Sequence, residues 1–420
     1  MSWTDHPALG ERCFSLSLPN GLAVRVLPKP GFAEKFAFLG VNFGSDDVCF
    51  TLNGVRHTVP DGTAHFLEHR MFSLPDCDPE EAFSRFGAQV NAFTDYAMTG
   101  YYFSCTEHFS DCLRLLLRMV TTPYFPRAAM ASERDVIADE IALYADAPAD
   151  CAQERLYRAL YRRHPIRTPI TGTRTSIRKV TPAILQLCFD AFYRPGNMAL
   201  IVMGDVDAAH VAELARACTP EASSAQVLRE PLPQEDPGVF RRETLRRAAV
   251  SLPTFCIGFR AEPGEAPIRQ AAIGALAAEL LLGESSDLYE TLYGASLIDA
   301  DFSACFTQVP GAALLQAGGT GRKPRAVLSA ILHGAEQALA QGFDPARFAR
   351  LKKSACGRLI RELDGFESTC YRICEAYFAG AGCFDELAAL QAVTLQEAET
   401  FLRRTVIPAR AAISIVCPGK

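Results

Sequence analysis

The stretch His65-Phe66-Leu67-Glu68-His69 carries two imidazoles four residues apart and a carboxylate three residues after the first. On a helix that spacing is about one turn, so all three side chains lean to one face. Two neutral imidazole nitrogens and a carboxylate are a donor set that catalytic zinc accepts, with the fourth position left for water. A bare pair of histidines one turn apart reads as readily as a packed or surface pair. The glutamate just before the second histidine shifts that reading, as does a downstream helix through residues 128–144 on which Glu133 and Glu140 lie seven apart and share a face. With Glu140 as third ligand the site has two nitrogens, one carboxylate and an open position. Glu68 is then better placed to take a proton from water at that position than to coordinate.

The elements that must hold these groups can be read from periodicity. Residues 21–27 (GLAVRVL) and 36–43 (FAFLGVNF) have strand character, with turn residues between them. The run Val59-Pro60-Asp61-Gly62-Thr63 supplies turn and cap chemistry, so a helix carrying the HFLEH run begins near Thr63. A helix over residues 80–86 stops at Gly87. Strands follow at residues 90–94 and 99–103, then helices at 113–120 and 128–144, the latter ended by Asp146-Ala147-Pro148. A helix at 183–192 and a buried strand at 198–203 close the first half.

With 420 residues the chain is expected to form two domains. Residues 219–237, rich in Pro, Ser, Glu and Gln, are read as the linker between an N-terminal domain (1–218) and a C-terminal one (238–420). The second half repeats the element order of the first: a strand at 255–259 precedes the helix 269–282, and a helix at 395–403 precedes a strand at 411–416. That order suggests internal duplication. Residues 271–282 contain no histidine, so only the first half can hold this metal.

The net charge of -6 and the lack of a basic run argue against nucleic acid as a partner. The most apolar helical run is short and interrupted by Glu279, so no membrane insertion is expected. Fifteen scattered cysteines without CxxC spacing, and an N-terminal stretch without a basic-then-apolar leader, favour reduced thiols and a cytoplasmic location. Cys370 and Cys374, one helical turn apart, read as helix packing rather than metal ligands.

Five blocks in order resemble the insulinase/pitrilysin family of inverted-motif zinc metallopeptidases: DGTAHFLEHRMF from Asp61, GAQVNAFTDYAMTGYYF from Gly87, ERDVIADEIALYADAP from Glu133, HPIRTPITGT from His164 and YRPGNMALIVMGD from Tyr193. The nearest likeness is to its short bacterial members. The resemblance implies an α+β fold of two similar domains, each a mixed, largely antiparallel sheet with helices packed on it. It implies one zinc ion on His65, His69 and Glu140, with Glu68 as general base and Glu133 supporting the site from behind. It also implies that Asn91, Ala92 and Phe93 form a sheet edge where a peptide substrate adds as a strand.

The implied activity is endoproteolysis of peptides or unfolded segments. Many active relatives carry an arginine and a tyrosine in the second domain. Here Tyr293 stands where the arginine would be and Ala300 where the tyrosine would be. An intact zinc motif without that pair favours a two-chain chamber with a motif-lacking homologous subunit, a homodimer being the other arrangement. The rival reading is a non-catalytic assembly or peptide-binding subunit; the retained Glu68 argues against it.

Overall fold

The computed structural model describes every residue except Met1, Ala8, Glu265 and Lys420. The chain forms two compact units. The first comprises Met1–Ile141, Pro169–Pro231 and Ile360–Cys383; the second comprises Ala142–Thr168, Leu232–Leu359 and Phe384–Lys420. The chain does change unit inside the polar segment 219–237, but two pieces depart from the contiguous division expected there. Residues 142–168 pack with the second unit and residues 360–383 with the first. An amphipathic helix shows that it needs an apolar partner, not which sheet provides one.

Among the described residues the first unit contains ten strands: β1 (Ser2–His6), β2 (Glu11–Ser17), β3 (Ala23–Pro28), β4 (Lys35–Val41), β5 (Cys49–Leu52), β6 (Val55–Thr58), β7 (Gln89–Thr94), β8 (Thr99–Cys105), β9 (Met198–Gly204) and β10 (Val227–Arg229). Seven form one sheet in the order β1-β2-β3-β9-β4-β8-β7, antiparallel except for the parallel pair β3 and β9. The other three form a small sheet, β10-β5-β6. Its β5–β6 hairpin turns at Asn53-Gly54, both at positive φ, the chemistry a two-residue hairpin turn needs.

Alternation along β4 assigns the two faces of the large sheet. Ala37, Leu39 and Val41 join a core that also contains Phe66, Leu67, Leu116 and Phe192. That core is built with the helices α1 (Thr63–Met71), α2 (Pro79–Arg85), α3 (Phe109–Thr121) and α4 (Ala129–Asp146). On the opposite face lies the helix Phe366–Phe378, which crosses β4 at Gly40. A Cβ there would stand 2.2 Å from the Cys374 sulfur, so only glycine admits the helix this close. Cys370 and Cys374 are fully buried in that packing.

The described residues of the second unit form five strands, β11 (Glu243–Ala248), β12 (Thr254–Ala261), β13 (Ser303–Val309), β14 (Ala312–Thr320) and β15 (Ala411–Pro418), in the order β11-β15-β12-β14-β13. This order and its one parallel pair, β11 with β15, match β3-β9-β4-β8-β7 of the first unit. The helix Pro148–Leu160 covers β12 and β15, and a Cβ on Gly258 would meet the Leu160 side chain at 2.8 Å. Each sheet is thus α+β, largely antiparallel, and crossed at a glycine by one helix. Among the described residues no helix is long and apolar enough to cross a membrane.

Candidate metal centre

The helix α1 is seated by its backbone before any ligand is considered. Gly62 caps it at φ 85°, and a Cβ there would lie 2.6 Å from the Thr171 carbonyl oxygen. Gly172 presses back on Asp61 in the same way, so residues 169–172 pin the start of the helix. Phe66, Leu67 and Met71 are fully buried in the sheet-side core. The opposite stripe is therefore left to His65, Glu68 and His69. On α4, Met130 and Ile137 are the buried apolar residues, and Glu133 and Glu140 fall three residues after each. Burying that seam turns both carboxylates toward α1.

His65, His69 and Glu140 each offer a ligand atom within 4.8 Å of the others. The Glu140 Oε2 lies 3.5 Å from His65 Nε2 and 3.6 Å from His69 Nε2. Tetrahedral ligands about 2.1 Å from zinc stand roughly 3.4 Å apart, so these spacings fit the ion. His69 Nδ1 is 2.9 Å from Glu133 Oε1, which fixes the tautomer that leaves Nε2 for a metal. Glu133 also accepts from Arg70 Nη1 at 2.8 Å, and Arg70 Nη2 donates to Ser73 Oγ at 2.9 Å.

Charge is distributed unevenly around this donor set. Hydrogen bonds with His65 and His69 hold the Glu140 carboxyl well below the usual range, against its burial. Burial pulls the His69 imidazole down, but hydrogen bonds to Glu133 and Glu140 and the charges of Glu68 and Glu133 outweigh it and raise it to about 9. Burial also raises the Glu133 carboxyl, and the His69 and Arg70 contacts outweigh it, for a net lowering. Glu68 goes the other way: burial pushes its carboxyl up, opposed by His65, by the Thr94 hydroxyl and by His69. Thr94 Oγ1 donates to Glu68 Oε2 at 2.6 Å, and Thr99 Oγ1 donates to the Phe43 carbonyl at 2.8 Å beneath it. The result is a buried, oriented carboxylate of raised basicity beside a triad of potential metal donors to which it does not belong.

Asn91, Ala92 and Phe93 lie on β7, the strand that ends the sheet on the side of α1. Alternation separates them: Ala92 shares a face with Thr94, whereas Asn91 and Phe93 point to the opposite face, where the Phe93 ring centroid is 5.4 Å from that of Tyr371. Of the three, only Ala92 turns its side chain to the face of the metal centre. Thr94, which closes the 91–94 strand block, and Arg70 stand beside these groups through contacts that motif reading did not assign. What marks Thr94 is its contact with Glu68, and nothing local pointed to Arg70. His164 is fully buried and braces its loop, with Nε2 2.8 Å from the Pro310 carbonyl and Nδ1 accepting from the Ile166 N–H at 3.1 Å. Tyr293 sits on the helix Asp287–Gly294, its ring stacked 6.1 Å from Tyr289.

Residues 54–174 match the family model "Insulinase (Peptidase family M16)", and residues 179–355 match "Peptidase M16 inactive domain". The uncharacterized zinc protease YmfH of Bacillus subtilis is 30% identical over 427 residues, covering 99% of this chain and 98% of that protein. The crystal structure of an M16-like peptidase from Alicyclobacillus acidocaldarius superposes with a TM-score of 0.92 at 30% identity, over 99% of this chain and 100% of that one. Pitrilysin shares the fold, with a TM-score of 0.76 at 16% identity over 97% of this chain and 45% of its own. With its donor triad, its paired sheets and its full-length likeness to such relatives, the chain belongs to the insulinase (M16) family of peptidases.

Proposed function

We propose that this protein is a zinc endopeptidase that hydrolyses peptides or unfolded segments, with His65, His69 and Glu140 as metal ligands and Glu68 as general base. The observation that carries the reading is the place of Glu68: buried, held by Thr94, and adjacent to the donor triad without being part of it. A zinc ion bound by the three ligands would supply Lewis-acid polarisation and an acidified water. Glu68 takes the proton of the attacking water and passes it to the leaving amine nitrogen. Glu133 holds His69 in the ligating tautomer. The edge of β7 takes the substrate as an added strand, which fixes the scissile bond relative to Glu68.

The replacement of the second-domain arginine and tyrosine by Tyr293 and Ala300 favours assembly with a motif-lacking homologous subunit that completes the substrate contacts. The cytoplasm suits a chain whose fifteen cysteines are all unpaired. Three measurements test these statements together: zinc content by elemental analysis, cleavage of a quenched-fluorescent peptide library, and the same assay on Glu68→Gln. Stoichiometric zinc in both proteins, with cleavage lost only in the variant, is expected. If cleavage requires a co-purifying homologue, the paired arrangement holds; full activity as a homodimer refutes it. A zinc-free protein refutes the enzyme.

A further inference from the structure

The reverse face of β7 opens on a cavity of about 770 Å3 whose lining belongs wholly to the first unit. Its floor is aromatic: Phe36, Phe93 and Tyr102, with ring centroids 5.5 Å apart for Phe36 and Tyr102 and 6.4 Å apart for Phe93 and Tyr102. Glu34 and Glu367 stand on its walls, both exposed, and among the described residues no lysine or arginine lines it. Tyr102 donates its hydroxyl to Glu367 Oε1 at 2.8 Å. An ionised carboxylate has acceptor sites beyond that one.

The cavity is tied to the metal centre through the strand that separates them. β7 ends the sheet, and the Ala92 N–H is accepted by the Asn91 carboxamide oxygen at 2.8 Å rather than by a neighbouring strand. That N–H therefore points out of the open edge. In a peptide added there, successive side chains must alternate between the two faces. Those on the side of Ala92 and Thr94 look toward Glu68; those on the side of Asn91 and Phe93 look into the cavity.

We propose that this cavity is a specificity subsite for a basic side chain of the substrate, arginine or lysine, carried by a residue next to one that faces the metal centre. The aliphatic stem would lie on the rings, the cationic head over their faces and between Glu34 and Glu367. The N-terminus of the helix Phe366–Phe378 adds a partial positive charge at the rim, but Glu367 in its first turn already offsets it. Two full carboxylates on the walls then decide the sign of the site.

This inference rests on the peptidase reading and is tested by binding rather than turnover. Zinc-loaded Glu68→Gln protein is titrated into dye-labelled, otherwise neutral peptides in which arginine, leucine or glutamate is scanned along the chain, followed by fluorescence anisotropy. Arginine is expected to bind about tenfold more tightly than leucine at alternate positions only. That ratio should fall below about twofold in Glu367→Gln, and in Glu34→Lys, where the new cation cancels Glu367, arginine should lose its advantage altogether. Peptide binding with no preference for arginine, or a preference unchanged in both variants, overturns the subsite and leaves the peptidase reading intact. No binding of any peptide overturns both.

Discussion

Removing Glu133 should damage this protein in two separable ways. Its carboxylate bridges His69 at 2.9 Å and Arg70 at 2.8 Å, and the Glu133 and Arg70 side chains are only 16% and 7% exposed. In Glu133→Ala the guanidinium keeps Ser73 but loses its counter-charge, and its Nε has no hydrogen-bond partner to begin with. Stranding a buried charge in this way costs about 3–5 kcal/mol. In the proposed zinc site, loss of the carboxylate behind His69 separately weakens zinc binding by roughly 10- to 100-fold. The double variant Glu133→Ala/Arg70→Met removes the stranded charge while leaving His69 unsupported. It should recover most of the stability of the chelator-treated protein in thermal or urea denaturation, yet retain the zinc defect in competition with a chromophoric chelator. Wild-type zinc affinity in Glu133→Ala would refute the tautomer argument. Failure of Arg70→Met to restore stability would refute the charge argument.

Three further outcomes follow from the same geometry. Thr94→Val removes the donor to Glu68 and should lower kcat about tenfold with little change in KM, whereas Thr94→Ser should restore it. Gly62→Ala forces a Cβ against the Thr171 carbonyl at a left-handed backbone position, so the melting temperature should drop by several degrees even in metal-free protein. The Asp46 carboxyl, raised to about 8 by burial and by the charges of Asp47 and Asp95, has neither oxygen hydrogen-bonded. A carboxyl so raised is protonated in the folded state at neutral pH. Its contribution is complete below the ordinary aspartate range and is lost as pH rises toward 8 and beyond. Asp46→Asn should therefore equal wild type near pH 4, exceed it increasingly up to about pH 8 and level off above that, by at most roughly 6 kcal/mol, in denaturation at a series of pH values.

Much of the half that carries the donor triad was legible because its signals are local. The HFLEH run, the Gly62 cap and the Glu133/Glu140 spacing each depend on residues within a few turns of one another, and the helices α1 and α4 sit where periodicity placed them. The β5–β6 hairpin, with Asn53-Gly54 at its tip, was equally local and was passed over. The strands β1 and β2 offered weaker alternation and were not expected at all. Substrate contacts were only half legible. The strand over residues 90–94 was clear, but its parity, which sends Ala92 and Thr94 to one face and Asn91 and Phe93 to the other, emerges only once Thr94 is seen on Glu68.

The amino-acid sequence alone determined the donor types, their spacing on one helix turn and the absence of a second motif, because helical geometry converts spacing directly into a shared face. Tertiary structure decided how Glu140 comes within 3.6 Å of both histidines, and which sheet each crossing helix covers. The helices Pro148–Leu160 and Phe366–Phe378 have apolar faces that would suit either sheet. What selects between them is the pair of gaps left at Gly258 and Gly40, a complementarity that exists only after strands distant in the chain have paired.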